Sequence, residues 1–159
     1  MNSNQDKLDK LRHSASHLMT AAIEELYPGV KQTIGPPIEH GFYHDYDFGS
    51  VKISESELPN IEATMHDIAK KWKEFSHQEV SKAEALNQFK SNEYKQELIE
   101  EFSKEGKPLT LYTAGDFVDL CKGGHSEHPD QELKYFKLLS IAGAYWRGSE
   151  KNKMLTRIY

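Results

Sequence analysis

Leu8, Leu11, Ala15, Leu18, Met19, Ala22, Ile23 and Leu26 recur at three-and-four spacing, which predicts one amphipathic helix over residues 5–27. Pro28-Gly29 stops it. A helix of this length must lay its apolar stripe on something, and the rest of the chain is built from shorter pieces. At about 100° per residue, His13 and His17 fall roughly 120° or more from the centre of the stripe, on the side of Lys10, Thr20 and Glu24. That position argues against histidines satisfied in a core. It leaves two imidazoles one turn apart on one face, either as ordinary surface residues or as half of a site.

Val30 to Phe48 is rich in β-branched and aromatic residues and reads as two short strands joined irregularly through Gly35-Pro36-Pro37 and His40-Gly41. Ser54-Glu55-Ser56-Glu57 has the form of a capping box and predicts a helix to about Lys73, with Leu58, Ile61, Met65, Ile68, Ala69 and Trp72 inward. Phe75–Val80 is a predicted strand, Ser81 caps a short helix through Phe89, and Asn92 caps another from Glu93 to about Ser103. Strands follow at Leu109–Tyr112, Phe117–Cys121, Tyr135–Ala142 and Met154–Tyr159, the last hairpin turning at residues 148–152. Helices and strands mix without a βαβ alternation, so the expected class is α+β, an antiparallel β-sheet with helices packed on it.

The chain of 159 residues is long enough for one domain with its own core, and Cys121, alone, forms no internal disulfide; a reducing cytoplasm is the expected location. No apolar run reaches membrane-spanning length, so no membrane partner is expected. Net charge is -5, unevenly spread: Lys134, Lys137, Arg147, Lys151, Lys153 and Arg157 face only Glu150, leaving the end about +5 and residues 1–133 about −10. A basic end on an acidic body suits docking of a defined RNA or an acidic partner, and equally a solvated basic hairpin.

The one other close pairing of reactive side chains is Cys121 and His125, again four apart, with Asp119 on the same strand face as Cys121 and Gly123-Gly124 between. Three histidines and a thiol make a complete zinc shell, a general base for water, or a cysteine nucleophile with its partner. Spacing does not choose among them. Lys95, between Glu93 and Glu97, reads as a solvated surface lysine.

Arg12-His13-Ser14 with His17, Ile34-Gly35-Pro36 with Ile38 and Gly41-Phe42-Tyr43, Phe117-Val118-Asp119-Leu120-Cys121 with Gly123 and His125, and Ala142-Gly143-Ala144-Tyr145-Trp146-Arg147-Gly148 with Asn152-Lys153-Met154-Leu155 occur in this order. In these motifs the chain resembles the editing domain of bacterial-type threonyl-tRNA synthetase, related in outline to that of alanyl-tRNA synthetase. The resemblance covers residues 10–159, leaving 1–9 as an extension and the start of the first helix. The Trp146 region points to the threonyl branch.

The resemblance implies a cleft lined by the long N-terminal helix, and hydrolysis of serine wrongly esterified to the 3′ end of threonine tRNA. One methyl group separates serine from threonine, worth only about 1–3 kcal/mol in discrimination, so a second site is needed. It assigns His13, His17, Cys121 and His125 to the cleft, with Lys95 and Asp119 beside them. His13, His17 and His125 would activate water, Lys95 would meet the oxyanion or ribose, and Asp119 the serine ammonium or hydroxyl. Cys121 would shape the pocket. Gly41, Phe42, Tyr43, His44 and Gly123 are expected to bind substrate. No metal is favoured; zinc, if bound, would take His13, His17, Cys121 and His125.

Two positions depart from the family pattern: His44 stands where tyrosine is usual, and Gly124 where proline precedes the last histidine. Expected partners are threonine tRNA and the remaining synthetase domains, from which this chain is expected to be an excised or N-terminal part. Aminoacylation is not expected from it alone. The alternatives are a non-catalytic tRNA-binding domain and a zinc-binding interaction module.

Overall fold

The computed structural model describes residues 3–159. Helix α1 (Ser3–Leu26) leads into four short strands, β1 (Lys31–Gln32), β2 (Pro37–Ile38), β3 (Gly41–Phe42) and β4 (His44–Asp47). Helix α2 (Leu58–Ala69), strand β5 (Ser76–Val80), and helices α3 (Lys82–Gln88) and α4 (Glu93–Lys104) come next. The chain closes with β6 (Leu109–Ala114), β7 (Phe117–Leu120), a short helix α5 (Pro129–Glu132), β8 (Ile141–Tyr145) and β9 (Met154–Ile158). The α+β class holds, with three antiparallel sheets ordered β1-β4-β9-β8, β2-β3 and β5-β6-β7.

The apolar stripe of α1 does what its spacing requires. Leu18, Met19, Ala22 and Ile23 are fully buried against Ile61 and Met65 of α2, Trp72, and Tyr46 and Ile158 of the four-stranded sheet. Each such side chain contributes about 1.5–3 kcal/mol by leaving water. The opposite side of α1 is covered at its middle, which corrects the expectation: His17 and Thr20 are buried too, while Lys10 and Glu24 at its two ends are exposed. Phe75, just before β5, and Phe117 of β7 cover His17 at ring separations of 6.4 and 5.6 Å. Thr20 Oγ1 bonds Ser16 O and the Tyr46 hydroxyl, so its polar atom is satisfied there.

Two predicted caps form. Ser81 accepts from Glu84 N–H at 3.1 Å while Glu84 reaches back to Ser81 N–H, and Asn92 Oδ1 accepts from Tyr94 and Lys95 N–H. The third does not: Ser54 makes no side-chain cap, residues 55–57 form a 3₁₀ turn, and α2 starts at Leu58 with Pro59 in its first turn. Pro59 supplies a preset φ and lacks the N–H that a cap would serve. The strand expected at Tyr135–Ala142 begins only at Ile141, because Leu138 N–H bonds the Glu62 carboxylate instead of a neighbouring strand. α5 lacked a periodic signal in the sequence.

The basic end is largely spent internally. Arg157 grips Asp45 at 2.7 and 2.9 Å, Arg147 bonds Glu97 and Glu101, and Lys153 meets Asp47 at 2.9 Å.

Candidate active site

One helical turn places His13 and His17 with Nε2 atoms 3.2 Å apart. The second half of the cluster comes from the inner face of the β5-β6-β7 sheet. Tyr112 and Asp119 face each other across β6 and β7, and Cys121 N–H continues the ladder to Thr110 O, so Asp119 and Cys121 project to the same side. Cys121 Sγ lies 3.4 Å from His13 Nε2 and 3.3 Å from His125 Nε2. The two i, i+4 pairs thus converge.

The turn between Cys121 and His125 requires its glycines. Gly123 has φ +100°, and a Cβ there would fall 2.4 Å from the Tyr112 hydroxyl; its N–H donates to Cys121 Sγ at 3.3 Å. Gly124 has φ +85°, a conformation proline cannot take. Gly124 O lies 3.3 Å from His13 Nδ1, and Ser126 N–H bonds Ser14 Oγ at 2.8 Å, tying the loop to α1 at two points. With Nδ1–H on that carbonyl, His13 presents a bare Nε2 to the cluster.

Behind His17 stands a buried ion pair. Lys95 Nζ is 2.7 Å from Asp119 Oδ1, both side chains under 5% exposed, and Asp119 Oδ2 is 3.2 Å from His17 Nδ1 at an oblique angle. Lys95 is therefore not the solvated lysine its neighbours suggested. Glu93 turns to Lys31, and Glu97 to Trp146 Nε1 and Arg147.

These contacts set the charges. Burial alone would lower the His17 pKa, but bonding to Asp119 and Cys121 outweighs it and raises it to about 9. Burial also opposes the Cys121 thiolate, yet hydrogen bonding led by His125 brings its pKa down to about 4. Asp119 is held well below the ordinary carboxylate range because Lys95 and His17 outweigh its burial. His125 is lowered by burial, and its Nδ1 is buried without a partner between the stacked rings of Phe75 and His13.

The donor chemistry fits a tetrahedral metal. Bond lengths of about 2.0–2.3 Å to zinc imply edges of about 3.3–3.6 Å between ligand atoms. Three of the six edges, at 3.2, 3.3 and 3.4 Å, are close to these lengths, and the donors of His13, His17, Cys121 and His125 all lie within 4.8 Å of one another. The Asp119 and Gly124 contacts to the far ring nitrogens are the outer partners such ligands need.

The expected substrate-binding residues separate. Gly123 is in the cluster loop. His44 is 2% exposed, stacked on Tyr46 beneath Gly35 and bonded through Nδ1 to Asp45 O; burial drives its pKa down to about 3. Tyr43 packs under the Arg157 guanidinium, 4.1 Å from the ring centre. Gly41 and Phe42 line a different cavity. Ser14, Tyr112, Phe75 and Phe117 bear on the site without having been singled out; only Tyr112, whose partner across the ladder is Asp119, had a signal in strand register.

This α+β frame and its motifs define the class of domain. Residues 109–159 match the threonyl and alanyl tRNA synthetase second additional domain. Over nearly its whole length it is similar to threonine–tRNA ligases. Identity is 49% over 147 residues to that of Flavobacterium psychrophilum, 92% of this chain and 22% of the relative. It is 51% over 149 residues to that of Rubrobacter xylanophilus (94% and 23%), and 45% over 159 residues to that of Streptococcus suis (100% and 24%). The chain thus spans less than a quarter of the length of these curated relatives. Among the described residues no helix is long and apolar enough to cross a membrane.

Proposed function

We propose that the domain removes serine from mischarged threonine tRNA by hydrolysing the ester to the terminal ribose, working beside the other domains of a threonyl-tRNA synthetase in the cytoplasm. The observation that carries this is the convergence of three imidazole Nε2 atoms and a thiolate at one point, backed by Asp119 and Lys95. An aminoacyl ester is already activated, so a positioned water suffices and no covalent intermediate is required.

In this reading His13 Nε2 takes the proton from water, its tautomer set by Gly124 O. His17, kept protonated by Asp119, donates to the developing oxyanion. His125 and the Cys121 thiolate, in contact at 3.3 Å, hold the water from one side. Lys95, 3% exposed and bonded to Asp119, acts through Asp119 on His17 and does not touch substrate. This departs from the direct role the resemblance suggests for Lys95 and Asp119.

The threonyl likeness favours a site without metal. Zinc, if bound, would be held by His13, His17, Cys121 and His125 and would supply an activated water. The same donor geometry supports a zinc-binding module as the second reading. Metal analysis of protein purified without chelators separates the two: stoichiometric zinc, lost in Cys121→Ser, reverses the metal-free choice.

The deacylation test is release of serine from seryl-tRNA specific for threonine. His13→Ala should slow it by about 100-fold or more, the usual worth of a general base. Equal hydrolysis by the two proteins would sink this assignment, and salt-sensitive binding of threonine tRNA with no deacylation would leave a non-catalytic tRNA-binding domain.

A further inference from the structure

Outside the cluster, the β2-β3 hairpin forms one wall of a cavity of about 340 Å³. Ile38, Phe42, Leu139 and Tyr159 supply apolar and aromatic surface, while His40, 3.8 Å from the Glu39 carboxylate, and Lys137 are its basic lining. In a chain of net charge -5, a lining with two basic side chains and no acidic side chain stands out. Glu62, the acid nearest Lys137 at 3.9 Å, is already bonded to Leu138 N–H. The walls are pinned: Leu139 N–H donates to Tyr159 O at 2.8 Å and Tyr159 N–H to Ser140 O at 3.0 Å. Leu139 is 69% exposed, and Tyr135, on the same connecting segment, is 94% exposed beside Lys134.

The cavity is linked to the cluster by one residue. Arg12, the neighbour of His13, spends its guanidinium on Ile38 O at 3.1 Å and Glu39 O at 2.7 Å, locking the hairpin to α1. Aromatic surface, a basic rim and an unused exposed tyrosine are what an unpaired nucleotide uses: its base stacks and its phosphate meets the lysine.

We propose that this cavity receives an unpaired nucleotide of the RNA strand whose terminal residue reaches His13. The choice of an RNA end rests on the deacylase reading; the cavity's chemistry does not. The hairpin then separates two jobs, with the ester at His13 on one side and the preceding nucleotide on the other.

The test is fluorescence anisotropy of the 159-residue chain with a labelled RNA hairpin bearing unpaired 3′ nucleotides, against the same hairpin made blunt. Wild-type protein should favour the overhanging RNA by tenfold or more. Lys137→Glu combined with Leu139→Asp, both exposed positions, should erase that preference and leave blunt binding within twofold. Lys137→Gln alone should lower the salt slope for the overhanging RNA by about one. No preference in the wild type, an unchanged preference in the double variant, or equal loss on both RNAs overturns the proposal. Serine release by the same proteins is read separately. A wild type that selects the overhang but frees no serine sinks the deacylase reading and leaves the cavity assigned.

Discussion

Two buried carboxylates are each gripped by a cation, and they are held differently. Asp45 on β4 gives both oxygens to Arg157, a closed fork with the guanidinium part exposed and lying over Tyr43. Asp119 on β7 gives one oxygen to Lys95 and leaves the other against His17, with both side chains almost fully buried. The first pair is saturated and can only fasten strands β4 and β9. The second retains an oxygen, so it passes its charge to an imidazole. An ammonium makes that possible, because it is a compact single charge where a guanidinium is a fork.

Breaking the second pair should do the most. Lys95→Met strands a buried carboxylate, which costs about 3–5 kcal/mol in denaturant unfolding and should lower serine release by about 100-fold in the protein that remains folded. Asp45→Ala should cost less, about 1.5–3 kcal/mol, with the release rate per folded molecule kept within a few-fold. A large rate loss there would erase the contrast.

The third test uses pH. His44 titrates in the unfolded chain near 6.5 but only at about 3 in the fold, so the unfolded state binds more protons between these values. Stability is then fully present above pH 6.5 and falls on acidification toward about 3, by at most about 1.4 kcal/mol per pH unit. His44→Phe should flatten that part of the curve in denaturation midpoints; an unchanged slope would assign the acid loss to the carboxylates. The smallest effect belongs to a cap far from both pairs: Ser81→Ala should cost about 1 kcal/mol and leave serine release untouched.

The sequence showed what short range controls. The α1 stripe, the Ser81 and Asn92 caps and the two i, i+4 pairs depend on residues within a turn of one another, and all appear in the fold. The burial of Lys95 did not show, because its acid neighbours face Lys31 and Arg147 while its partner Asp119 is on another element. His17 was misjudged for the same reason: the aromatics that cover it arrive from β7 and the start of β5, beyond the reach of helix periodicity. Ser54 misled because its capping pattern ignores a proline five residues on.

The contact between His13 and Cys121 spans 108 residues of chain. Loop closure of that length must be completed before the contact returns anything, so local pieces form first. Helix α1 can pack on α2, and the hairpins can zip, with no cluster present. Only docking of the three-stranded sheet on α1, fastened by the Ser14 and Gly124 contacts, assembles the four donors. The four donors are therefore brought together only in chains that have finished folding.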